Sequence, residues 1–150
     1  IFKNNFFYKI IYLILFSTSF MGTLFEHNKI YEMVGGSSTF YNLATQFYKS
    51  VQNDELLIFM YPKKLDMAIH KLALFLIQKF GGPDEYRPLR GHPQMRRRHF
   101  EFPIDSEARN RWLTHMLDAL DKVGIDSNHQ ARFTLEEYFS WMSTHMINKS

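Results

Sequence analysis

The chain of 150 residues has no cysteine. That excludes disulfides, thiolate nucleophiles, iron–sulfur clusters and cysteine-bound zinc together. It lacks an H-E-x-x-H pair, so the helical zinc-hydrolase pattern is absent as well. There is no internal repeat, no low-complexity run, and no unbroken stretch of the ~20 apolar residues that a spanning helix needs. A strong basic excess is also missing. The net charge is +3, but Lys3 and Lys9 carry two of those charges and residues 1–20 hold no acid. Residues 21–150 are therefore close to neutral, which argues against a general nucleic-acid binder.

What remains describes one domain with a real core. Hydrophobic residues make up 45% and charged residues 22%, a balance that folds and does not stay disordered. The first twenty residues stand apart. Their apolar run from Phe6 to Phe16 is broken by Lys9, and no small-x-small cleavage site follows. Through Phe16 every residue is Ile, Phe, Lys, Asn, Tyr or Leu, all codable by A and T alone. Residues 1–20 are read as a non-native upstream extension or an anchor, and residues 21–150 as the domain. The absence of cysteine is compatible with a cytoplasmic setting.

Four helical patterns follow, and no strand. Phe40, Leu43, Ala44, Phe47, Tyr48 and Val51 recur at steps of three and four, predicting a helix over 37–51 with Ser37 or Ser38 as its cap. Leu65, Ala68, Ile69, Leu72, Leu76 and Phe80 predict a second over 63–80, ended by "GGP". A third runs from Asp105 or Ser106 to about Val123, with Trp112, Met116, Ala119, Leu120 and Val123 inward. A fourth starts near Ser127 and presents Phe133, Tyr138, Trp141, Met142, His145 and Met146. The stretch from Pro83 to Pro103 is irregular, with one short helical candidate beginning at Pro93. "FEFPI" alternates like a strand, but its length and Pro103 argue against one. The fold class is all-α.

Several polar side chains sit on apolar faces. Tyr48 and Trp112 do so on the first and third helices, and Tyr61 precedes the second. Each is explained alone as a core aromatic bonded to a carbonyl. Together they are three donors aimed at a core, and an indole N–H can only donate. A bound ligand would accept from them. His99 lies where "MRRR" meets "FEFPI", as bystander, base or ligand. The arginines are a solvated face or anion partners. An amphiphilic anion, flat and apolar at one end and carboxylated at the other, suits such a seam; haem has that form.

The segments "YEMVGG", "FY" at 47–48, "YP" at 61–62, "FLIQKFGGPDEY", "RGHPQMRRRHF" and "RWLTHM" resemble, in order and spacing, the truncated haemoglobins of group II. The resemblance spans about Tyr31 to Asn148. It implies a two-on-two helical sandwich around haem b, with the helix bearing the proximal ligand much reduced. Carried over to this chain, it implies His99 as the proximal iron ligand. Tyr48, Tyr61 and Trp112 would be distal polar residues, Ala68 a small residue at the distal haem edge, and Leu72 part of the distal wall. Lys71, Arg98 and Tyr86 would face the haem propionates. Two departures are visible: the connector "PKKLD" is a residue shorter than in some relatives, and Phe80 stands where many have tryptophan.

The implied function is binding of O2, and of other diatomics such as CO and NO, at ferrous iron. Hydrogen bonds from the distal residues would make O2 release slow, as in a ligand binder, sensor or store. The alternative is an enzyme for NO dioxygenation or peroxide chemistry. With no flavin or NAD domain in the chain, that role needs an external reductase. No nucleic-acid partner is expected, a membrane partner only through residues 1–20, and the assembly is a monomer or homodimer.

Overall fold

The computed structural model describes residues 27–150. The expected extension at 1–20 lies outside the described residues. Residues 27–33 form α1. It is followed by α2 (Ser37–Val51), a 3-10 turn (Ile58–Met60), α3 (Asp66–Lys79), α4 (Tyr86–Arg90), α5 (Met95–His99), α6 (Ser106–Lys122) and α7 (Arg132–His145). No strand occurs among the described residues, and none of their helices is long and apolar enough to cross a membrane. The four long helices make two pairs, α2 on α3 and α6 on α7, and α2 packs on α6 to join them.

The inward face of α2 is the one its spacing predicts: Phe40, Leu43, Ala44, Phe47, Tyr48 and Val51 are all buried. Its cap differs from expectation. The N-cap is Gly36 at φ 80, and no side chain caps the helix. Ser37 is already helical, and its hydroxyl pairs instead with the Tyr31 hydroxyl at 2.9 Å. On α6 the cap is as expected, with the Asp105 side chain accepting from the Ala108 N–H at 2.8 Å.

The start of α3 is later than the pattern suggests, at Asp66, because residues 62–65 still turn out of the 3-10 segment. Beyond its end, Gly81 adopts φ +95. A Cβ there would run into the Asn28 carbonyl, and one on Gly82 would sit 2.5 Å from the Tyr31 ring. Glycine at both positions lets α1 lie directly against the end of α3, where the Tyr31 N–H donates to the Phe80 carbonyl at 2.9 Å.

The fourth helix departs most from its sequence pattern. It begins at Arg132, not near Ser127. Asp126 accepts from the Asn128 N–H, and Arg132 donates to the Ile125 carbonyl, both at 2.8 Å, which holds the intervening residues in turns. Its buried face is Leu135, Tyr138 and Phe139, continued by Met146. Phe133 and Trp141, expected inside, are 61% and 60% exposed. The segment from 83 to 103 holds two five-residue helices where one was expected, and α5 begins at Met95, after Gln94 in the left-handed region at φ 42.

Candidate functional site

Between the two helix pairs and the α4–α5 segment lies a cavity of about 450 Å³. This is within the roughly 300–1,000 Å³ usual for small-molecule sites. All nine residues singled out in the sequence line it: Tyr48 from α2, Tyr61 after the 3-10 turn, Ala68, Lys71 and Leu72 from α3, Tyr86 from α4, Arg98 and His99 from α5, and Trp112 from α6. The rest of the wall includes Met142 and Met146, on the face expected of the fourth helix, and Met60, Met95, Phe102 and Ile104, which the sequence did not assign to a site. Methionine, flexible and polarizable, suits a wall that conforms to a flat ligand.

His99 sits on the last turn of α5. Its Nδ1 lies 2.7 Å from the Met95 carbonyl, an atom that can only accept. In the neutral ring this contact selects the tautomer with the proton on Nδ1 and the lone pair on Nε2. That is how a protein prepares a histidine to bind metal. Among the described residues no cluster of three or more His, Asp or Glu side chains could cage a metal ion. A metal held by His99 must bring its other ligands with it.

The aromatic donors gather in one corner. The Tyr48 and Tyr61 rings meet edge to face at 5.4 Å. Trp112 packs on Phe47 at 5.3 Å and on Phe139 at 6.1 Å. Burial pushes the Tyr61 hydroxyl up to about 12, with the nearby Trp112 indole acting in the opposite sense. Burial, reinforced by Tyr61, pushes the Tyr48 hydroxyl still higher. Both phenols thus remain protonated donors at any ordinary pH.

The cationic residues are less free than the sequence suggests. Arg98 donates through Nε to the Pro93 carbonyl at 2.8 Å and through Nη2 to the carbonyls of Arg90 at 2.6 Å and His92 at 3.3 Å. Only Nη1 lies outside those three bonds. Lys71 and Arg90 line the same cavity. One imidazole lone pair, apolar walls, a cluster of neutral donors and flanking cations fit a flat, apolar, anionic macrocycle that carries its own metal.

A family model described as bacterial-like globin matches residues 29–148. The chain belongs to that family, among the group II truncated haemoglobins. It is 35% identical over 123 residues to a group 2 truncated hemoglobin of Bacillus subtilis, covering 82% of this chain and 91% of that protein. Among solved structures, it is similar to a hemoglobin from the thermophilic phototrophic bacterium Chloroflexus aurantiacus. There the TM-score is 0.76 and the identity 41%, covering 80% of this chain and 98% of the other. The group II truncated hemoglobin of Bacillus anthracis gives a TM-score of 0.75 at 31% identity, covering 79% and 90%. The two helix pairs are thus the two-on-two globin fold. The cofactor of truncated haemoglobins is haem, and their ligands are small diatomic molecules such as O2.

Proposed function

We propose that the cavity binds haem b with His99 as the residue that would hold the iron, and that Tyr48, Tyr61 and Trp112 would hold a diatomic ligand by hydrogen bonds. The observation that carries this reading is the His99 ring itself: its Nδ1 proton is committed to the Met95 carbonyl, which leaves Nε2 as the metal-binding atom. Ferrous haem, when bound, would supply an iron that takes up O2 reversibly. The chain does the rest. Ala68 and Leu72 wall the ligand side, and Met95, Phe102 and Ile104 supply apolar surface for the porphyrin. Lys71, Tyr86 and Arg98, through Nη1, would face the propionates. The Trp112 indole acts on the Tyr61 hydroxyl, so the two donors would serve the same ligand. Such a site retains O2 and releases it slowly, which suits a high-affinity binder, sensor or store.

The test is spectroscopic. Purified His99→Ala is expected to lose its haem, or to keep it only with added imidazole. A variant with the wild-type ferrous spectrum, with and without CO, refutes the assignment. A second reading is turnover of peroxide or NO at the same site with an external reductase. Ring contacts running outward from Trp112 favour the peroxide form of it.

A further inference from the structure

One hydroxyl in the core has no partner. Tyr138 is only 5% exposed, and its Oη makes no hydrogen bond. A phenylalanine would fill the same space without leaving a buried polar atom unpaired. What the hydroxyl adds to the ring is ease of one-electron oxidation. In a chain without cysteine, tryptophan and tyrosine are the side chains best suited to that chemistry.

Tyr138 also stands midway along a line of touching rings. Its ring lies 5.7 Å from Phe139 and 6.4 Å from Trp141, centre to centre. Phe139 lies 6.1 Å from Trp112, which lines the cavity. At the outer end Trp141 is 60% exposed and stacks on His145 at 5.4 Å with the planes 7° apart. Trp112 and Trp141 are the only two tryptophans in the chain. One is at the cavity wall, the other at the surface, and Tyr138 and Phe139 join them. Beside Trp141 a shallow groove presents Glu137, Ser140 and Thr144.

We propose that Trp141 is a surface oxidation site, coupled to the cavity through Tyr138 and Trp112, for one-electron donors such as phenols too large to enter the cavity. The proposal rests on the reading of the cavity as a haem site. The oxidant is hydrogen peroxide, which becomes two waters by taking up two electrons and two protons. Trp141 supplies these one electron at a time through the ring contacts, and its indole proton leaves to solvent. A phenol in the groove returns one electron and one proton to the indolyl radical and departs as a phenoxyl radical. Two phenols are consumed per peroxide. Without a donor, dissolved O2 adds to the indolyl radical and leaves oxygenated tryptophan as a record.

The experiment uses the full haem-loaded chain and hydrogen peroxide. Peptide mapping without donor should find oxygenated Trp141, and the haem-free protein given the same treatment should show none. With a phenol tethered to a polymer too bulky for the cavity, Trp141→Phe should lower its oxidation about tenfold or more, while the peroxide response of the haem spectrum stays within about twofold. Trp141 is exposed, so this variant should fold normally. Tyr138→Phe, which removes only an unpaired hydroxyl, should lower Trp141 oxygenation by a similar factor. The relay is wrong if Trp141 is unmodified, is modified equally in the haem-free protein, or is oxygenated equally in Tyr138→Phe. It is also wrong if Trp141→Phe oxidises the tethered phenol at the wild-type rate. Absence of haem, or a haem spectrum that ignores peroxide, refutes the underlying reading as well and is seen before any tryptophan is examined.

Discussion

Trp112→Phe separates the distal site's hydrogen bonding from its packing. The indole acts on the Tyr61 hydroxyl in the same corner of the cavity. A bound ligand would therefore compete with a neutral interaction worth at most one hydrogen bond. A neutral bond contributes about 0.5–1.5 kcal/mol and one to a charged acceptor about 1.5–3 kcal/mol. The exchange is worth about 1–1.5 kcal/mol, and about 1.4 kcal/mol is tenfold. Stopped-flow measurement should find O2 leaving Trp112→Phe about tenfold faster. CO, a poorer acceptor, should change by a smaller factor. The ring contacts with Phe47 and Phe139 are loosened by the smaller side chain, so stability should fall by about 1–2 kcal/mol. Equal changes for O2 and CO would make Trp112 a steric wall. No change in either would return it to ordinary core packing.

Other predictions concern the frame around the site. Asp54 is buried at 7% exposure, 2.7 Å from His115 Nε2 and 3.2 Å from Arg111, and it accepts from the Leu56 N–H at 2.9 Å. Burial raises its pKa, but the bonds to His115 and Leu56, then Arg111 and Leu57, outweigh that and hold it below the ordinary 3.8. A depressed carboxyl stabilises the fold above its unfolded pKa, and that contribution is lost as pH falls through the folded value. Asp54→Asn should thus cost about 1–3 kcal/mol at pH 7 in urea denaturation, with the gap to wild type closing below about pH 4; a gap independent of pH would refute the pairing. Gly81→Ala should lower stability by about 1–3 kcal/mol, because φ +95 and the Asn28 carbonyl both oppose a Cβ, and thermal melts will measure it.

The sequence made the cavity more legible than the frame. The six inward residues of α2 could be read from spacing alone, because that helix buries one stripe and exposes the other. On α7 the same reasoning holds only in part: Tyr138 and Met146 are buried as expected, but Phe133 and Trp141 are exposed. Leu135 and Phe139 mark a second stripe of similar apolar character. Spacing does not say which of two aromatic stripes faces in. The late start of α7 was hidden for a different reason: it depends on side-chain bonds of Asp126 and Arg132 to the main chain, which carry no periodicity. Four cavity residues stood out because their types are unusual for their positions, the hydroxyls of Tyr48 and Tyr61, the indole of Trp112, and His99 at a charge boundary; Ala68, Lys71, Leu72, Tyr86 and Arg98 were reached only through the family resemblance.

That boundary has a physical explanation. Helix α5 has five residues, too few to be stable on its own. A histidine on so short a helix needs its position fixed by other bonds. Arg98 ties three carbonyls of the preceding segment together through Nε and Nη2. Arg96 reaches across to the carbonyls of His145 and Ile147, at the end of α7. Asn148, from the chain's tail, donates to the His99 carbonyl at 3.2 Å and the Phe102 carbonyl at 2.9 Å, and accepts from the Ile104 N–H at 3.0 Å. Bonds from a charged donor contribute about 1.5–3 kcal/mol where water is excluded and neutral ones about 0.5–1.5 kcal/mol, so this set helps fix a helix too short to hold itself. Of the three arginines only Arg97, whose one side-chain bond is to Gln94 at 3.3 Å, behaves as a solvated charge. The basic run before His99 is thus mainly scaffolding. Arginine serves there because its fork of donors can hold several main-chain carbonyls at once, which a lysine's single ammonium does less well.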